Sequence, residues 1–436
     1  MPEAAQALKF QASGVRFRIL ALLFVLSFVN YLLRNNLSVA QTSIQQDFQF
    51  SNEDFGWILF GFNIAYTFFQ IPGGLFGDRF GPRRALSLIA IAWGVLTLLT
   101  GSAPGLLLPG ALGAWWALIL VRFFMGVANA PIFPIMASAF ASWFPVGNWA
   151  LPNAVTNAGL TLAQAALGPV VTTLIYFFGW RMSFYALAPI GLGAAAWWWW
   201  YARDTPREHR SVSAAELALI ERARPLRAAP KTASRVLLDR DVLLIAASYF
   251  CTNVVFYMFS QWLMAYFVQE RHFTLLASGW LYALPFVAGA VLAVAGGAAC
   301  DWLCGRLGPR WGCRLTAAVS LALMGVTLIA GFLAADPYFA VACLSLCFAF
   351  NQFADSTYWQ ATTFVAGPNT AAACGVVNTG GNLPGLLAPL IGYLIDHFGW
   401  APAFIGGTIF AMLSAVLWLF VRVAPAQIGE RQASIA

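Results

Sequence analysis

The chain is built from long apolar runs, each close to the roughly 20 residues that a helix needs to cross a bilayer. They fall at approximately 17–40, 55–77, 85–103, 113–138, 149–178 and 182–202. After a polar stretch they resume at about 242–268, 275–300, 313–334, 337–364, 370–395 and 401–421. Hydrocarbon offers no water to peptide groups, so each run is predicted to close its hydrogen bonds internally as an α-helix. The expected fold class is an all-α membrane protein with twelve transmembrane helices. Charge content decides against a soluble alternative: 9% of the 436 residues are charged and 60% are hydrophobic, whereas a soluble domain carries about 25% charge. Lys9, Arg16 and Arg18 ahead of the first run, with Ser38-Val39-Ala40 at its end, look like a secretory leader and its cleavage site. Eleven further runs follow, so a retained first span is the expectation.

Orientation follows from the basic residues. With the N-terminus in the cytoplasm and strict alternation, 20 of the 24 Lys and Arg fall inside. They are Lys9, Arg16, Arg18, Arg79, Arg83, Arg84, the nine between Arg203 and Arg240, Arg306, Arg310, Arg314, Arg422 and Arg431. Acids dominate the other side, at Asp47, Glu53, Asp54, Asp336 and Asp396. This bias predicts a multi-pass protein of the cell (inner) membrane with both termini cytoplasmic. It also accounts for the net charge of +7: the basic face meets membrane lipid headgroups, and no nucleic acid is expected.

The two halves repeat each other. Arg79-Phe80-Gly81-Pro82-Arg83 recurs as Arg306-Leu307-Gly308-Pro309-Arg310 at an offset of 227, and Phe178-Gly179-Trp180 as Phe398-Gly399-Trp400 at an offset of 220. Expected domains are an N-terminal six-helix bundle over 1–202, a cytoplasmic linker over 203–241 with Pro206, Pro225 and Pro230, and a C-terminal bundle over 242–436. Two pseudo-symmetric bundles of this kind enclose a central cavity near the midplane, where alternating access takes place.

Gly74-Leu75-Phe76-Gly77-Asp78-Arg79-Phe80-Gly81-Pro82-Arg83-Arg84, between the second and third runs, resembles the signature of the major facilitator superfamily. A degenerate copy follows at Gly297, Asp301, Arg306, Gly308 and Arg310, with four residues inserted between Asp and Arg. The resemblance implies a gate: Gly74 permits close helix contact, and Asp78, Arg79, Arg83 and Asp301 hold the cytoplasmic side by charge-assisted bonds. A solvated turn with basic topology anchors is the plainer alternative.

A narrower resemblance, to the anion:cation symporter branch, covers nearly the whole chain. It is carried by Asn30 to Ser38, Tyr66, Gln70 to Gly74, Gly126 to Pro134, Gly179-Trp180-Arg181, Phe184-Tyr185, Asp204-Thr205-Pro206, Glu216, Gln261-Trp262-Leu263 and Asn378 to Asn382. It implies uptake of sugar acids or other small carboxylates together with protons.

The residues point the same way. Arg34 and Arg122 lie inside the first and fourth runs, where a charge costs roughly 2.5–3.5 kcal/mol on insertion scales. Both guanidinium groups are therefore expected to face a wet cavity or a partner, and Arg suits a carboxylate. Asn129, two turns beyond Arg122, should share its face. The alternative is that each Arg pins neighbouring helices through an internal ion pair. The branch usually carries acids where this chain has Leu33 and Asn129, which removes the usual proton carriers. Asp355, the one acid well inside a run, is the candidate proton or cation site; it is equally a candidate fixed counter-ion, and a third possibility is an uncoupled facilitator. Tyr66, Gln164, Tyr257, Gln261, Asn378 and Asn382 are candidate partners for solute hydroxyls, or interhelical glue worth about 0.6 kcal/mol each.

Trp197 to Trp200 read as an interfacial belt, and Pro131, Pro134 and Pro384 as helix kinks. All seven Cys lie in the second half. Cys300, Cys304 and Cys313 have no His nearby and read as free thiols, so no metal or cofactor is expected. His209, His272 and His397 fall in loops or at run ends. Neither a nucleophile triad nor a phosphate loop is present, which excludes an enzyme. The expected protein is a monomeric secondary transporter importing a small organic anion. An exporter of amphipathic compounds and a non-transporting membrane sensor are the rivals; two in-span Arg against one acid favour the anion.

Overall fold

A computed structural model describes residues 13–106, 110–145, 150–221 and 238–423. The helices in the first half are α1 (Val15–Phe48), α2 (Asn52–Phe68), α3 (Gln70–Leu106), α4 (Gly110–Asn129), α5 (Ile132–Trp143), α6 (Ala150–Phe178), α7 (Trp180–Tyr201) and the short α8 (Ala214–Glu221). Those in the second are α9 (Arg240–Gln269), α10 (Leu275–Leu333), α11 (Pro337–Ala366), α12 (Thr370–Asn382), α13 (Ala388–Phe398) and α14 (Ala401–Phe420). No strand occurs among the described residues. Eight continuous helical stretches among them are long and apolar enough to cross a membrane. Dividing α3 at Gly81 and α10 at Gly308, and joining helices across Phe69, 130–131 and 383–387, gives twelve rods among the described residues, one per apolar run.

The internal repeat is written into the backbone. Gly81 (φ 77, ψ 157) and Gly308 (φ 79, ψ 161) break their helices in one conformation, and Gly179 (φ 81, ψ 164) and Gly399 (φ 72, ψ −168) do the same at the second repeated motif. That region is essentially closed to residues with a Cβ. At Gly308 the chain doubles back, since the sulfurs of Cys304 and Cys313 come within 3.7 Å; nine residues of straight helix would span about 13 Å.

Contacts divide the chain into two compact units, Met1–Phe50 with Trp57–Ala228 and Ser51–Gly56 with Ala229–Ala436. In the first, α1 packs on α6 and α7, and α3 on α4, α5 and α7. Lipid tails are as apolar as Leu, so close approach at small residues drives such packing. At Gly126 a Cβ would collide with the Phe62 carbonyl of α2. In the second unit α9 packs on α12 and α14, and α10 on α11 and α14. The tryptophan belt is corrected in one respect. Trp197, Trp199 and Trp200 are exposed, but Trp198 is buried and its Nε1 donates to the Arg83 carbonyl at 3.2 Å.

Candidate functional site

The four arginines off the basic side have separated roles. Arg181 pairs with Asp47 at 2.8 Å. Arg271 caps the end of α10, donating to the carbonyls of Gly331, Phe332 and Ala334 at 2.8–2.9 Å. Arg34 and Arg122 lie within the first unit's helices, on α1 and α4. Arg122 is 2% exposed; one of its NH groups donates to the Arg34 carbonyl at 3.0 Å, while Nε and the other NH group have no partner among the described residues. The Arg34 guanidinium lies over three rings, 4.5 Å from the Tyr66 centroid, 4.6 Å from Phe62 and 5.2 Å from Tyr31. Such faces attract a cation without neutralising it. α1, α2 and α4 thus gather two positive charges and aromatic walls.

Asn129 is buried, as its spacing from Arg122 requires. It ends α4 just ahead of Pro131, and its side chain is engaged: Oδ1 accepts from Asn30 Nδ2, and Nδ2 donates to the Met125 carbonyl at 2.8 Å. Nearby in sequence on α1, buried Gln41 has both amide atoms unpartnered, and Gln164 on α6 is buried with Oε1 unpartnered among the described residues.

In the turn between α3's two segments, Asp78 and Arg79 are exposed. Asp204, part of the branch resemblance but given no role from the sequence, meets that turn. It follows α7 in the Asp204-Thr205-Pro206 segment, and its Oδ1 accepts from the Arg83 backbone N–H at 2.7 Å. A Cβ on Gly81 would sit 2.6 Å from the same oxygen, so space as well as φ demands glycine. The Arg83 guanidinium donates to the Trp199 carbonyl at 2.8 and 3.1 Å and lies over that ring. Burial, then the Arg203 charge, pull it below the ordinary arginine value. The bond to Asp204 lies inside the first unit and ties α3 to the end of α7.

In the second unit Asp355 on α11 accepts from Tyr249 OH at 3.0 Å and Trp359 Nε1 at 3.2 Å. Tyr257 OH donates to Asn382 Oδ1 at 3.2 Å, and Asn382 Nδ2 to the Asn378 carbonyl at 2.8 Å; Gln261 is buried on α9. Asp301 is exposed and accepts from Gln360 Nε2 at 2.6 Å. Trp359, one helical turn after Asp355, was legible as a neighbour. Tyr249 was not, because it arrives from α9. Nor was the buried hydroxyl cluster of Ser248, Thr252, Tyr358 and Ser414, linked at 2.6–3.0 Å across α9, α11 and α14. Cys300, Cys304 and Cys313, taken from sequence as separate apolar thiols, converge here: all three sulfurs lie within 4.8 Å of one another.

The Major Facilitator Superfamily model matches residues 23–389. The chain belongs to that superfamily. Its relatives by sequence include the probable sulfoacetate transporter SauU of Cupriavidus necator, 30% identical over 397 residues and covering 89% of each chain. The probable galactarate/D-glucarate transporter GudP of Bacillus subtilis is 28% identical over 427 residues, covering 93% of this chain and 92% of its own. These place the transporter in the anion:cation symporter branch. In fold it matches an inward-facing bacterial homologue of the human lysosomal transporter Spinster, with a TM-score of 0.74, 15% identity and coverage of 95% and 99%. It also matches a D-xylose–proton symporter, with a TM-score of 0.71, 16% identity and coverage of 93% and 98%. Family and relatives are transporters, not enzymes, and the chain is a multi-pass membrane protein.

Proposed function

We propose that the chain imports a small organic anion, a sugar acid or another carboxylate, across the cell (inner) membrane by alternating access, with both termini cytoplasmic. The observation that carries this is Arg122, a buried guanidinium with two nitrogens unpartnered among the described residues, beside the Arg34 backbone. A carboxylate accepts two such N–H groups side by side and neutralises the charge. Arg34, Tyr66 and Asn129 complete the anion end in the first unit, and the second unit offers Gln261, Asn378 and Asn382 to solute hydroxyls. Asp78, Arg79, Arg83 and Asp301 serve the gate.

The relatives named for sulfoacetate, galactarate and D-glucarate set the first candidates, all with two anionic ends. A thermal-shift screen of these and other carboxylates on purified protein tests the reading, because a ligand of the folded state must raise its apparent stability. A hit that vanishes in Arg122→Ala supports it; carboxylates that stabilise both proteins equally overturn it.

Asp355 is the proposed proton site, standing in for the acids absent at Leu33 and Asn129. An uncoupled facilitator is the second reading, favoured by the amide pair Asn30–Asn129, which cannot carry a proton. Uptake driven by a pH gradient alone separates the two.

A further inference from the structure

The hairpin at Gly308 brings three thiols to one point. Cys300 and Cys304 are four residues apart and share a face of the first arm of α10, and Cys313 faces them from the second arm. Cys313 Sγ lies 3.7 Å from Cys304 Sγ and 4.0 Å from Cys300 Sγ, and all three sulfurs fall within 4.8 Å of one another. Close approach depends on Gly312, where a Cβ would lie 2.5 Å from the Cys304 nitrogen.

These spacings are those of sulfurs sharing a metal ion. With zinc–sulfur bonds of about 2.3 Å, tetrahedral or trigonal angles set the sulfurs roughly 3.8–4.0 Å apart. An oxygen donor is at hand. Gln360 Nε2 is held by Asp301 Oδ1 at 2.6 Å, which turns Oε1 to Cys300 Sγ at 2.8 Å. Soft thiolates select soft d10 cations, and an outer carboxylate that orients a ligand is the usual support of such a site.

We infer that Cys300, Cys304 and Cys313 form a binding site for a thiophilic d10 dication of the zinc class, with the Gln360 carbonyl oxygen as the fourth donor. On binding, each S–H bond breaks, a metal–sulfur bond replaces it, and the three protons pass to water. The three thiolates then outweigh the dication by one negative charge, on a hairpin whose sequence also carries Arg306, Arg310 and Arg314. Cys300 and Cys313 are buried and Cys304 is half-buried, so Cys304 is the side of entry. The ion would tie the two arms of the hairpin together.

Cadmium is the probe, because its thiolate bonds absorb in the ultraviolet. Purified full-length protein, reduced with a phosphine and stripped with a chelator, is titrated with Cd(II). The expected result is a charge-transfer band saturating at one Cd per chain, displaced by Zn(II), with release of protons and protection of Cys304 from maleimide. Cys300→Ser, Cys304→Ser and Cys313→Ser should each lose the saturable band, while Cys343→Ser and Cys374→Ser keep it. Size-exclusion elution identifies variants that remain folded; were a serine variant to misfold, metal protection of Cys304 in the unmutated chain decides alone. No saturable band, or full binding by folded Cys313→Ser, overturns the site.

Discussion

Replacing Arg122 with methionine discriminates an anion-binding arginine from one that holds helices together, because the two roles predict opposite changes in ligand-free stability. Arg122 is 2% exposed and makes one hydrogen bond among the described residues, to the Arg34 carbonyl. A guanidinium at a helix centre costs roughly 2.5–3.5 kcal/mol relative to an apolar residue. One charge-assisted hydrogen bond returns about 1.5–3 kcal/mol. The balance puts the empty Arg122→Met protein between about 0.5 kcal/mol less stable and about 2 kcal/mol more stable, centred on a gain. For the anion the sign reverses. Two bonds from Nε and the second NH group, at about 1.5–3 kcal/mol each, make the loss at least about 3 kcal/mol, roughly 100-fold in Kd. The assay is paired: thermal unfolding of detergent-purified protein without ligand, then with a saturating carboxylate from the screen. The expected outcome is an equal or higher ligand-free melting temperature with loss of the ligand-induced rise. A lower ligand-free melting temperature together with affinity within about tenfold of the unmutated protein refutes the reasoning and makes Arg122 a helix pin.

Asp355→Asn is expected to abolish uptake driven by a pH gradient in proteoliposomes while solute exchange continues; undiminished pH-driven uptake removes Asp355 as the proton site. Asn129→Asp places a carboxyl against Asn30 and should add a second titrating step to the pH dependence of solute affinity, beyond any that Asp355 gives the unmutated protein; titrating binding across pH reads it. Gly81→Ala forces a side chain into a glycine-only conformation and against Asp204; a loss of about 1–3 kcal/mol from the backbone alone should appear as a fall in melting temperature, whereas Gly193→Ala, with open space around it, should change little. Burial first, and then the Arg203 charge, hold His209 below its ordinary value of 6.5. The unfolded chain therefore takes up its proton first, and stability present above that value falls as pH drops through it; His209→Gln should flatten that part of the melting-temperature profile.

Charge and hydropathy along the chain determined the twelve helices, because each apolar run must satisfy its own backbone and nothing distant is required for that. The repeated Gly-Pro-Arg and Phe-Gly-Trp motifs likewise foretold matching backbone, since Gly81 and Gly308 occupy a region that other residues avoid. The two intramembrane arginines stood out for a similar reason: a charge inside an apolar run is costly wherever the run packs. What sequence could not decide was which polar groups meet. Asp204 rather than Asp78 serves the turn at Gly81, Tyr249 reaches Asp355 from another helix, and Trp198 turns inward while its three neighbours do not. Nor could spacing alone bring Cys313 to Cys300 and Cys304, because their convergence depends on a reversal of direction at Gly308 and on the bare Cα of Gly312. Partners on one helix are fixed by a period of 3.6 residues; partners on different helices are fixed by how side chains of unlike size let those helices approach, and that is decided only when the whole bundle packs.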